Sequence, residues 1–434
     1  MFAKRQLLLV RKCDVICTEN ILLLRIKMKI AEINMVTSGS TGKIMLQIAE
    51  TARAAGHTVQ TYSPILFAKG KKNKPENIPD HFWWGSRFEQ LIHRCAGSLL
   101  GVNGMFSWFG TRQLVKHLRK FSPDVIHLHN LHAFCVNLPI LFKYIKKSGV
   151  KVVWTLHDCW AFTGHCPYFT ISSCEKWKTE CNKCPQPKVY PKMYFDTSKT
   201  MYRKKKKWFS DIPNLTIVTP SEWLADLAKE SFFKDCDVLV INNGIDLSVF
   251  KPRDTEFRKK RNIKAKYILL GVAFGWGYRK GLDVFIELSK RLDPALYQIV
   301  LVGTDENIDA QLPSNIISIH RTADQIELAE TYSAADLFVN PTREENYPTV
   351  NMESISCGTP VLTFNTGGSP EIPDCMTGSV VECNDVDAME REIIRITQGE
   401  VFSKSDCLQR SKDFDRSKCF NRYVDLFDSI CKGK

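Results

Sequence analysis

Residues 28–42 read Met-Lys-Ile-Ala-Glu-Ile-Asn-Met-Val-Thr-Ser-Gly-Ser-Thr-Gly, and this stretch decides the class of fold. Its apolar part, from Ile30 to Val36, predicts a buried strand, and the small residues from Thr37 to Gly42 predict a turn into a helix. A strand followed at once by a helix is the first half of a βαβ unit, in which the helix connects two parallel strands. The stretch therefore predicts an α/β protein built on a parallel sheet.

The same alternation of apolar runs and helical patterns continues along the chain and starts afresh near residue 267. Two such series predict two Rossmann-like doubly wound domains, each a parallel sheet with helices on both faces. Because ligands of open α/β sheets bind beyond the carboxyl ends of the strands, we expect the two domains to face each other across a cleft. The predicted strands are Asp124–His129, Lys151–Leu156, Leu215–Thr219 and Val238–Ile241 in the first series, and Tyr267–Ala273, Gln298–Val302, Leu337–Asn340 and Pro360–Phe364 in the second.

The domain boundaries follow from changes in this pattern. The polar connector Phe250-Lys-Pro-Arg-Asp254 separates the two series, and Met28 is the expected native start because the residues before it show no strand or helix period. The predicted parts are an N-terminal extension at 1–27, a first domain at 28–250 with a Cys-rich insertion at 159–190, a linker at 251–264, a second domain at 265–401, and C-terminal helices at 402–434 that cross back to the first domain.

Composition restricts the location and the partners of the chain. Its 434 residues carry a formal net charge of +13, which favours an anionic partner. The apolar runs are much shorter than the roughly 20 residues that a membrane-spanning helix needs, and no export signal is recognisable, so we expect a cytoplasmic protein. Basic runs at Lys69–Lys74 and Arg203–Lys207 suit peripheral binding to the anionic inner face of the cytoplasmic membrane. The alternative for both runs is a solvated helix face.

The stretch Glu345-Asn-Tyr-Pro-Thr-Val-Asn-Met-Glu353 predicts an anion-binding helix start in the second domain. Pro348 fits the first turn of a helix, and the backbone N–H groups of Thr349, Val350 and Asn351 would then be free for a diphosphate. Glu353 lies one turn further on the same face, where a carboxylate can accept from ribose hydroxyls. The alternative is an ordinary amphipathic helix with an acid at each end.

Other candidates lie where strands of the two series end. His157-Asp158 follows the strand at Lys151–Leu156, and Arg279-Lys280 stands before a predicted helix, where cations suit an anionic ligand. The run Gly39-Ser40-Thr41-Gly42 fails the spacing of a nucleotide-triphosphatase loop but permits a ligand to approach a helix start. The alternatives are a buried structural histidine and a solvated helix start.

Four of the 16 cysteines in the chain suit a structural zinc site. Disulfides are not expected in a protein without an export signal. Cys181 and Cys184 form a Cys-x-x-Cys pair, and Cys166 and Cys174 lie upstream, so four thiolates would staple a long loop. Their spacing is not that of a standard paired zinc ribbon, and plain reduced thiols are the alternative.

Together these pieces resemble glycosyltransferase family 4, the retaining sugar transferases of the GT-B architecture, over nearly the whole chain from Met28. The resemblance also rests on order and spacing of several further segments. These are Pro123–His129, Pro220–Leu224, Asn243–Asp246, Ser356–Val361 and Gly367-Gly368. It implies transfer of a sugar from a nucleotide diphosphate to a hydroxyl, with no metal required for the chemistry.

The resemblance also implies roles for particular residues. His157 and Asp158 would act at the reacting sugar together with Glu345, which would hold its ring hydroxyls. Glu353 would grip the ribose. The donor-binding set would be Arg279, Lys280, Asn346, Tyr347, Pro348, Thr349, Val350 and Glu353, and Gly39, Ser40, Thr41 and Gly42 would line the acceptor side.

The chain departs from the family pattern in two places. Asn346-Tyr347-Pro348 replaces the usual Gly-Phe-Gly, and Phe274-Gly275 stands where an arginine is common, a loss for which Arg279 would compensate. The segment from His157 to Tyr190 resembles bacterial exopolysaccharide and capsule enzymes, which implies a saccharide acceptor linked to a lipid. The rival interpretations are a sugar-nucleotide epimerase of the same fold and a zinc-containing nucleic-acid-binding protein; no nucleic-acid-binding module is recognisable, and no nucleic-acid partner is expected.

Overall fold

The computed structural model describes residues 27–66, 78–132, 134–399 and 401–432. Its first sheet has seven parallel strands in the order β3-β2-β1-β4-β5-β6-β7. The strands are β1 (Lys29–Ile33), β2 (Thr58–Pro64), β3 (His81–Trp84), β4 (Val125–Leu128), β5 (Lys151–Thr155), β6 (Leu215–Thr219) and β7 (Asp237–Val240). The N-terminal extension and the basic run at Lys69–Lys74 lie outside the described residues, apart from residue 27.

The second sheet has six parallel strands in the order β10-β9-β8-β11-β12-β13. They are β8 (Tyr267–Val272), β9 (Tyr297–Val302), β10 (Ile316–Ile319), β11 (Leu337–Asn340), β12 (Val361–Phe364) and β13 (Gly378–Val381). Both sheets are wholly parallel, so the predicted α/β fold of two doubly wound domains is confirmed.

Helices connect the strands and cover both faces of each sheet. In the first domain they are α1 (Gly39–Ala54), α2 (Arg87–Leu100), α3 (Trp108–Phe121), α4 (Leu138–Ser148), α5 (Ser198–Phe209) and α6 (Glu222–Glu230). After it come α7 (Phe257–Lys260), α8 (Leu282–Arg291), α9 (Glu306–Asp309), α10 (Gln325–Ala334), α11 (Thr349–Ser356), α12 (Val386–Gly399), α13 (Lys404–Ser411) and α14 (Arg416–Lys432).

Each sheet separates two apolar cores, because successive strand residues point to opposite faces. In β1, Ile30 packs in one core of the first domain and Ala31 in the other. In β8, Ile268 and Leu269 divide in the same way between the two cores of the second domain. The strands are therefore buried on both faces, as the continuous apolar runs predicted.

The C-terminal helix crosses back to the first domain. Phe420, Tyr423 and Phe427 of α14 pack in the core that contains Ile30 and Val153 of the first sheet. The preceding helix α13 instead contributes Cys407 to a core of the second domain. The end of the chain thus joins the two domains.

In the part of the chain that the structure describes, none of the helices has the length and apolar character to span a bilayer.

Candidate functional site

Asn346 joins the two domains at the cleft. Its side-chain N–H donates to the backbone carbonyl of His157 at 3.1 Å, and its Oδ1 accepts from the Ser221 hydroxyl at 2.6 Å. His157 and Ser221 follow the carboxyl ends of β5 and β6, whereas Asn346 follows β11. The loop after β5 and the start of α11 are therefore neighbours, although they are almost 190 residues apart in the sequence.

Lys280 and Glu345 form a partly buried ion pair beside this junction, with side chains 16% and 18% exposed. The Asn346 backbone N–H donates to the other carboxylate oxygen at 3.3 Å. Burial pushes the pKa of Glu345 upward, but the ion pair with Lys280 and the nearby Arg279 outweigh it, and the pKa lies below its ordinary value. The site therefore holds an ionised carboxylate and two cations.

The helix start at α11 differs slightly from its prediction. The helix begins at Thr349, so Pro348 is its N-cap residue and not part of its first turn, and it provides no side-chain cap. The Asn351 N–H bonds to the Pro348 carbonyl at 3.2 Å, which removes it from the predicted set of free amides. Thr349 and Val350 remain at the open end of the helix, and the end near Gly358 is as predicted.

Glu353 lies one turn into α11, as the spacing predicted, and is half-buried. Its Oε2 accepts from the Tyr332 hydroxyl at 3.2 Å. Burial raises the pKa of Glu353 to about 7, while hydrogen bonds from Tyr332 and Thr349 and the charge of Lys43 oppose the rise. Lys43 belongs to α1. Because its charge acts on Glu353, the start of α1 lies near Glu353 at the same cleft.

The residues Gly39 to Gly42 form the first turn of α1, and not a turn that precedes the helix. Gly39 has a φ of 71°, which favours glycine, and is exposed together with Ser40. Thr41 is half-buried. A Cβ on Gly42 would lie 2.4 Å from the Thr37 carbonyl carbon, so only glycine fits at this position.

His157 lies at the end of a buried hydrogen-bonded chain. Its Nε2 is 3.0 Å from Nδ1 of His129, whose Nε2 is 3.0 Å from Oε2 of Glu32. The other Glu32 oxygen is 3.0 Å from Nδ1 of His127, and His127 reaches the Thr155 hydroxyl at 2.8 Å. The chain thus connects the middle of the first sheet to the cleft.

Burial lowers the pKa of His157 to about 4 and those of His127 and His129 to about 3, so all three imidazoles are neutral at physiological pH. When Glu32 accepts from both imidazoles, Nδ1 of His129 is left as an acceptor, and His157 must donate from its Nε2.

The ligand atoms of Glu32, His127 and His129 all lie within 4.8 Å of one another. Their 3.0 Å contacts have the length of direct hydrogen bonds.

Asp158 supports the loop that carries His157. One carboxylate oxygen accepts from the Trp160 N–H at 2.8 Å, and the other lies 2.9 Å from Nε2 of His132. Because both oxygens are engaged, the geometry gives Asp158 the task of holding the loop, and its predicted place beside the reacting sugar stays a prediction.

The Cys-rich insertion also reaches the second domain. The Ile171 N–H and the Thr170 hydroxyl donate to Oε1 of Glu344 at 3.0 and 3.3 Å. Burial raises the pKa of Tyr168 well above its ordinary value, and the charges of the nearby Glu345 and Asp158 add to the effect. Sequence reasoning missed Tyr168 because its neighbours there come from distant strand ends.

Two family models match the chain. One, described as Glycosyltransferase Family 4, matches residues 41–249, and the other, described as Glycosyl transferases group 1, matches residues 266–398. The chain belongs to the family 4 glycosyltransferases. The two matched segments correspond to the two sheets, so the predicted family and its two-domain GT-B fold are confirmed.

The chain is also similar to three individual proteins. The putative colanic acid biosynthesis glycosyl transferase WcaC of Escherichia coli K12 is 27% identical over 64% of the chain and 67% of its own length. The N,N'-diacetylbacillosaminyl-diphospho-undecaprenol alpha-1,3-N-acetylgalactosaminyltransferase of Campylobacter jejuni is 24% identical over 48% and 59%. The crystal structure of Anabaena HepE with UDP-glucose superposes with a TM-score of 0.61 at 15% identity, over 93% of this chain and all of that one.

Proposed function

We propose that this glycosyltransferase moves a sugar from a nucleotide-diphosphate sugar to a hydroxyl of a saccharide acceptor and retains the anomeric configuration. The observation that carries the proposal is the convergence of three groups at one cleft: the Lys280–Glu345 pair, the uncapped start of α11 and His157. The solved relative with UDP-glucose bound supports a nucleotide-diphosphate donor.

The proposed site stabilises the negative charge that develops on the leaving diphosphate. Departure of a nucleoside diphosphate leaves negative charge on its outer phosphate, and the ammonium of Lys280, the guanidinium of Arg279 and the Thr349 and Val350 amides offer donors to it. These donors are fixed before the reaction by their own partners. Arg279 donates to the Glu344 carbonyl at 3.2 Å, and Lys280 is held by Glu345.

On the sugar side, Glu345 offers an ionised carboxylate to ring hydroxyls, and neutral His157 lies where Asn346 joins the domains. Pro348 borders the proposed donor site, whereas the predicted donor contact Tyr347 has its side chain buried in a core of the second domain. In this proposal the first turn of α1, from Gly39 to Gly42, faces the acceptor. The departing phosphate oxygen takes the proton of the acceptor hydroxyl, so the proposed reaction needs no metal ion.

Incubation of the purified chain with nucleotide sugars and candidate acceptors tests the proposal. A transferase lengthens the acceptor, and a retaining one gives a product whose anomeric proton coupling in NMR matches that of the donor. Conversion of the nucleotide sugar to its epimer without any acceptor would instead support the epimerase. An inverted product would refute the retaining mechanism while leaving the transferase in place.

Glu353 variants test the ribose contact. We expect Glu353→Ala to weaken nucleotide-sugar affinity by about 10–100-fold, as for a lost hydrogen bond to a charged group, whereas His157→Ala mainly slows turnover.

Because the pKa of Glu353 is about 7, the nucleotide-sugar affinity of the native chain should rise between pH 6 and pH 8 as the carboxylate ionises. Isothermal titration checks this rise, which Glu353→Gln should abolish and the exposed Glu306→Gln should keep. Equal, near-native kinetics in the Ala variants would contradict both assignments.

We also propose that the acceptor is linked to a lipid, in bacterial cell-surface polysaccharide synthesis, and that the enzyme binds the inner face of the cytoplasmic membrane. The names of the two curated relatives, one of colanic acid biosynthesis and one acting on a diphospho-undecaprenol saccharide, support this acceptor class. A membrane-bound acceptor requires a surface that holds the enzyme at the bilayer.

The predicted basic run at Arg203–Lys207 does not form such a surface by itself. Lys205 is fully buried, and Arg203 is paired with Glu180, so the run is neither one solvated face nor one lipid-binding face. One charge of the run, that of Lys205, lies in the core, and that of Arg203 lies at the surface. The helices α2 and α3 offer a better candidate.

This candidate surface, here called the α2–α3 face, combines exposed apolar and basic residues. Phe88 and Phe109 are 74% and 75% exposed, and Glu89 joins the starts of the two helices by accepting from the Phe109 N–H at 2.8 Å. Such a mixture suits the boundary of an anionic bilayer, where apolar rings enter the headgroup layer and cations meet lipid phosphates. The face consists of Phe88, Ile92, Leu99, Leu100, Trp108 and Phe109 with Arg87, Arg94 and Arg112.

The double variant Phe88→Ser/Phe109→Ser tests this docking. We expect it to weaken binding to vesicles containing anionic phospholipid by about 10–100-fold, because both rings lose their apolar burial. Cosedimentation measures the effect, and Ile326→Ser on the second domain is the matched control. Activity on a water-soluble acceptor should not change. Vesicle binding equal to that of the native chain would refute the assignment of this face.

A further inference from the structure

The segment between Phe162 and α5 is irregular and yet well packed. Within residues 163–197 the only helix is the single 3-10 turn Lys176–Lys178, but Phe169 and Trp177 are buried and stack with ring centroids 4.9 Å apart. Irregular segments of this length usually need an additional constraint to keep one conformation. The contacts of its cysteines indicate what that constraint is.

Four thiols of the segment line one small cavity, together with Phe169 and Trp177. Cys166 is buried, and Cys174, Cys181 and Cys184 are partly exposed. The cavity has room for little more than a water molecule. Its walls combine these sulfurs, the preferred ligands of zinc in structural sites, with two aromatic rings and with polar side chains that include His165 and Lys176.

A backbone amide is directed at one of these sulfurs. The Gly164 N–H donates to Sγ of Cys181 at 3.2 Å, and a Cβ on Gly164 would lie 2.8 Å from the Cys181 Cβ. N–H donors of this kind stabilise negative charge on sulfur and orient metal-bound thiolates.

A buried lysine lies next to the cavity. Lys205 is fully buried, and its Nζ donates to the carbonyls of Trp160 and Thr163 at 2.7 and 3.1 Å. Thr163 also lines the cavity. A zinc ion with four thiolates is doubly negative, and its charge would stabilise a buried ammonium group at this place.

We propose that Cys166, Cys174, Cys181 and Cys184 bind one structural zinc ion, with no open position for substrate. The four thiols lose their protons to solvent as four Zn–S bonds form. In a tetrahedral site the sulfurs lie about 3.8 Å apart, which follows from Zn–S bonds of about 2.3 Å. Among the described residues, three or more ligand atoms as close as 4.8 Å occur only at Glu32, His127 and His129, so the proposal requires the partly exposed turns to close on the metal.

The site lies outside the donor cleft but supports its wall. The segment that it would staple carries the Ile171 N–H and the Thr170 hydroxyl to Glu344, next to Glu345 in the sequence. The proposal does not depend on the transfer reaction, because the metal takes no part in the chemistry. It predicts that metal loss loosens this wall.

Metal analysis of the full chain, purified without chelators, tests the proposal. We expect about one zinc per chain, loss of that zinc in Cys181→Ser, and its retention in Cys375→Ser, which alters an exposed cysteine of the second domain. A thiol-specific mercurial should release the metal stoichiometrically. Zinc retained by Cys181→Ser, or less than a tenth of an equivalent in the native chain after growth with added zinc, would overturn the proposal.

A second measurement on the native chain covers the case in which Cys181→Ser does not fold. Replacement of the metal by Co²⁺ should give the thiolate-to-cobalt charge-transfer band and the intense visible bands of a tetrahedral four-sulfur site. Absence of these bands, or mass spectrometry that finds a disulfide between Cys181 and Cys184 in freshly purified protein, would overturn the proposal.

Discussion

Lys280→Ala is expected to lower kcat by about 10²–10³-fold, the usual cost of removing one preorganised donor to charge that develops in a transition state. In the structure the ammonium is fixed by Glu345 next to the start of α11, where an outer phosphate would lie. Lys280→Arg should recover only part of the rate, because a planar guanidinium does not reproduce the position of a compact ammonium. Steady-state kinetics with a nucleotide sugar measures both variants.

Two controls separate this effect from a general loss of structure. Lys290→Ala removes an exposed lysine of α8 and should leave kcat unchanged. The double variant Lys280→Ala/Glu345→Gln removes the unpaired carboxylate that the single variant leaves behind. If Lys280→Ala keeps a native melting temperature and is slow, the loss belongs to catalysis; the double variant reports on stability only, because Glu345 is itself assigned to the sugar. A kcat within threefold of native for Lys280→Ala would contradict the assigned role.

Glu32→Leu is expected to destabilise the first domain by about 2–5 kcal/mol, with a fall in its melting temperature on the order of 10 °C. Glu32 is fully buried and hydrogen-bonds both His127 and His129. Leucine fills the space but leaves polar groups of both imidazoles without partners, and burial of such groups without hydrogen bonds is costly. Thermal unfolding monitored by circular dichroism measures the change.

Glu32→Gln distinguishes support of the fold from support of the reaction. An amide keeps hydrogen bonds to both histidines but must donate to one of them, which disturbs the tautomers that end at His157. We therefore expect near-native stability with a lower kcat and an unchanged KM. Glu50→Leu, an exposed change on α1, is the stability control. Native stability in Glu32→Leu would show that the chain of hydrogen bonds contributes little.

The central strands were predictable from the sequence, and several others were not. β4, β5, β8 and β9 are continuous apolar runs, because both of their faces are buried. The prediction missed β2, whose buried Thr61 and Ser63 interrupt the apolar pattern. It also missed the edge strands β3, β10 and β13, which pair on one side only and are partly exposed. Of the four edge strands only β7 was predicted.

In the candidate site, too, some residues were predictable from their spacing in the sequence, and others are brought together only by tertiary contacts. The helix start at Thr349 and the position of Glu353 depend on residues close in sequence, so their spacing predicted them to within one residue. Glu32 and Tyr168 belong to the site's surroundings only through contacts between separate strands and loops. The parallel register that places Glu32 next to His127 is one example. No local pattern encodes such a pairing.

A crystal structure of the chain with a bound nucleotide-diphosphate sugar tests the central claim most directly. The account predicts the outer phosphate within hydrogen-bond distance of the Lys280 ammonium and the Thr349 amide. It also places the ribose hydroxyls on Glu353 and the sugar between Glu345 and His157. A nucleotide bound elsewhere, with these four side chains away from it, would contradict the account.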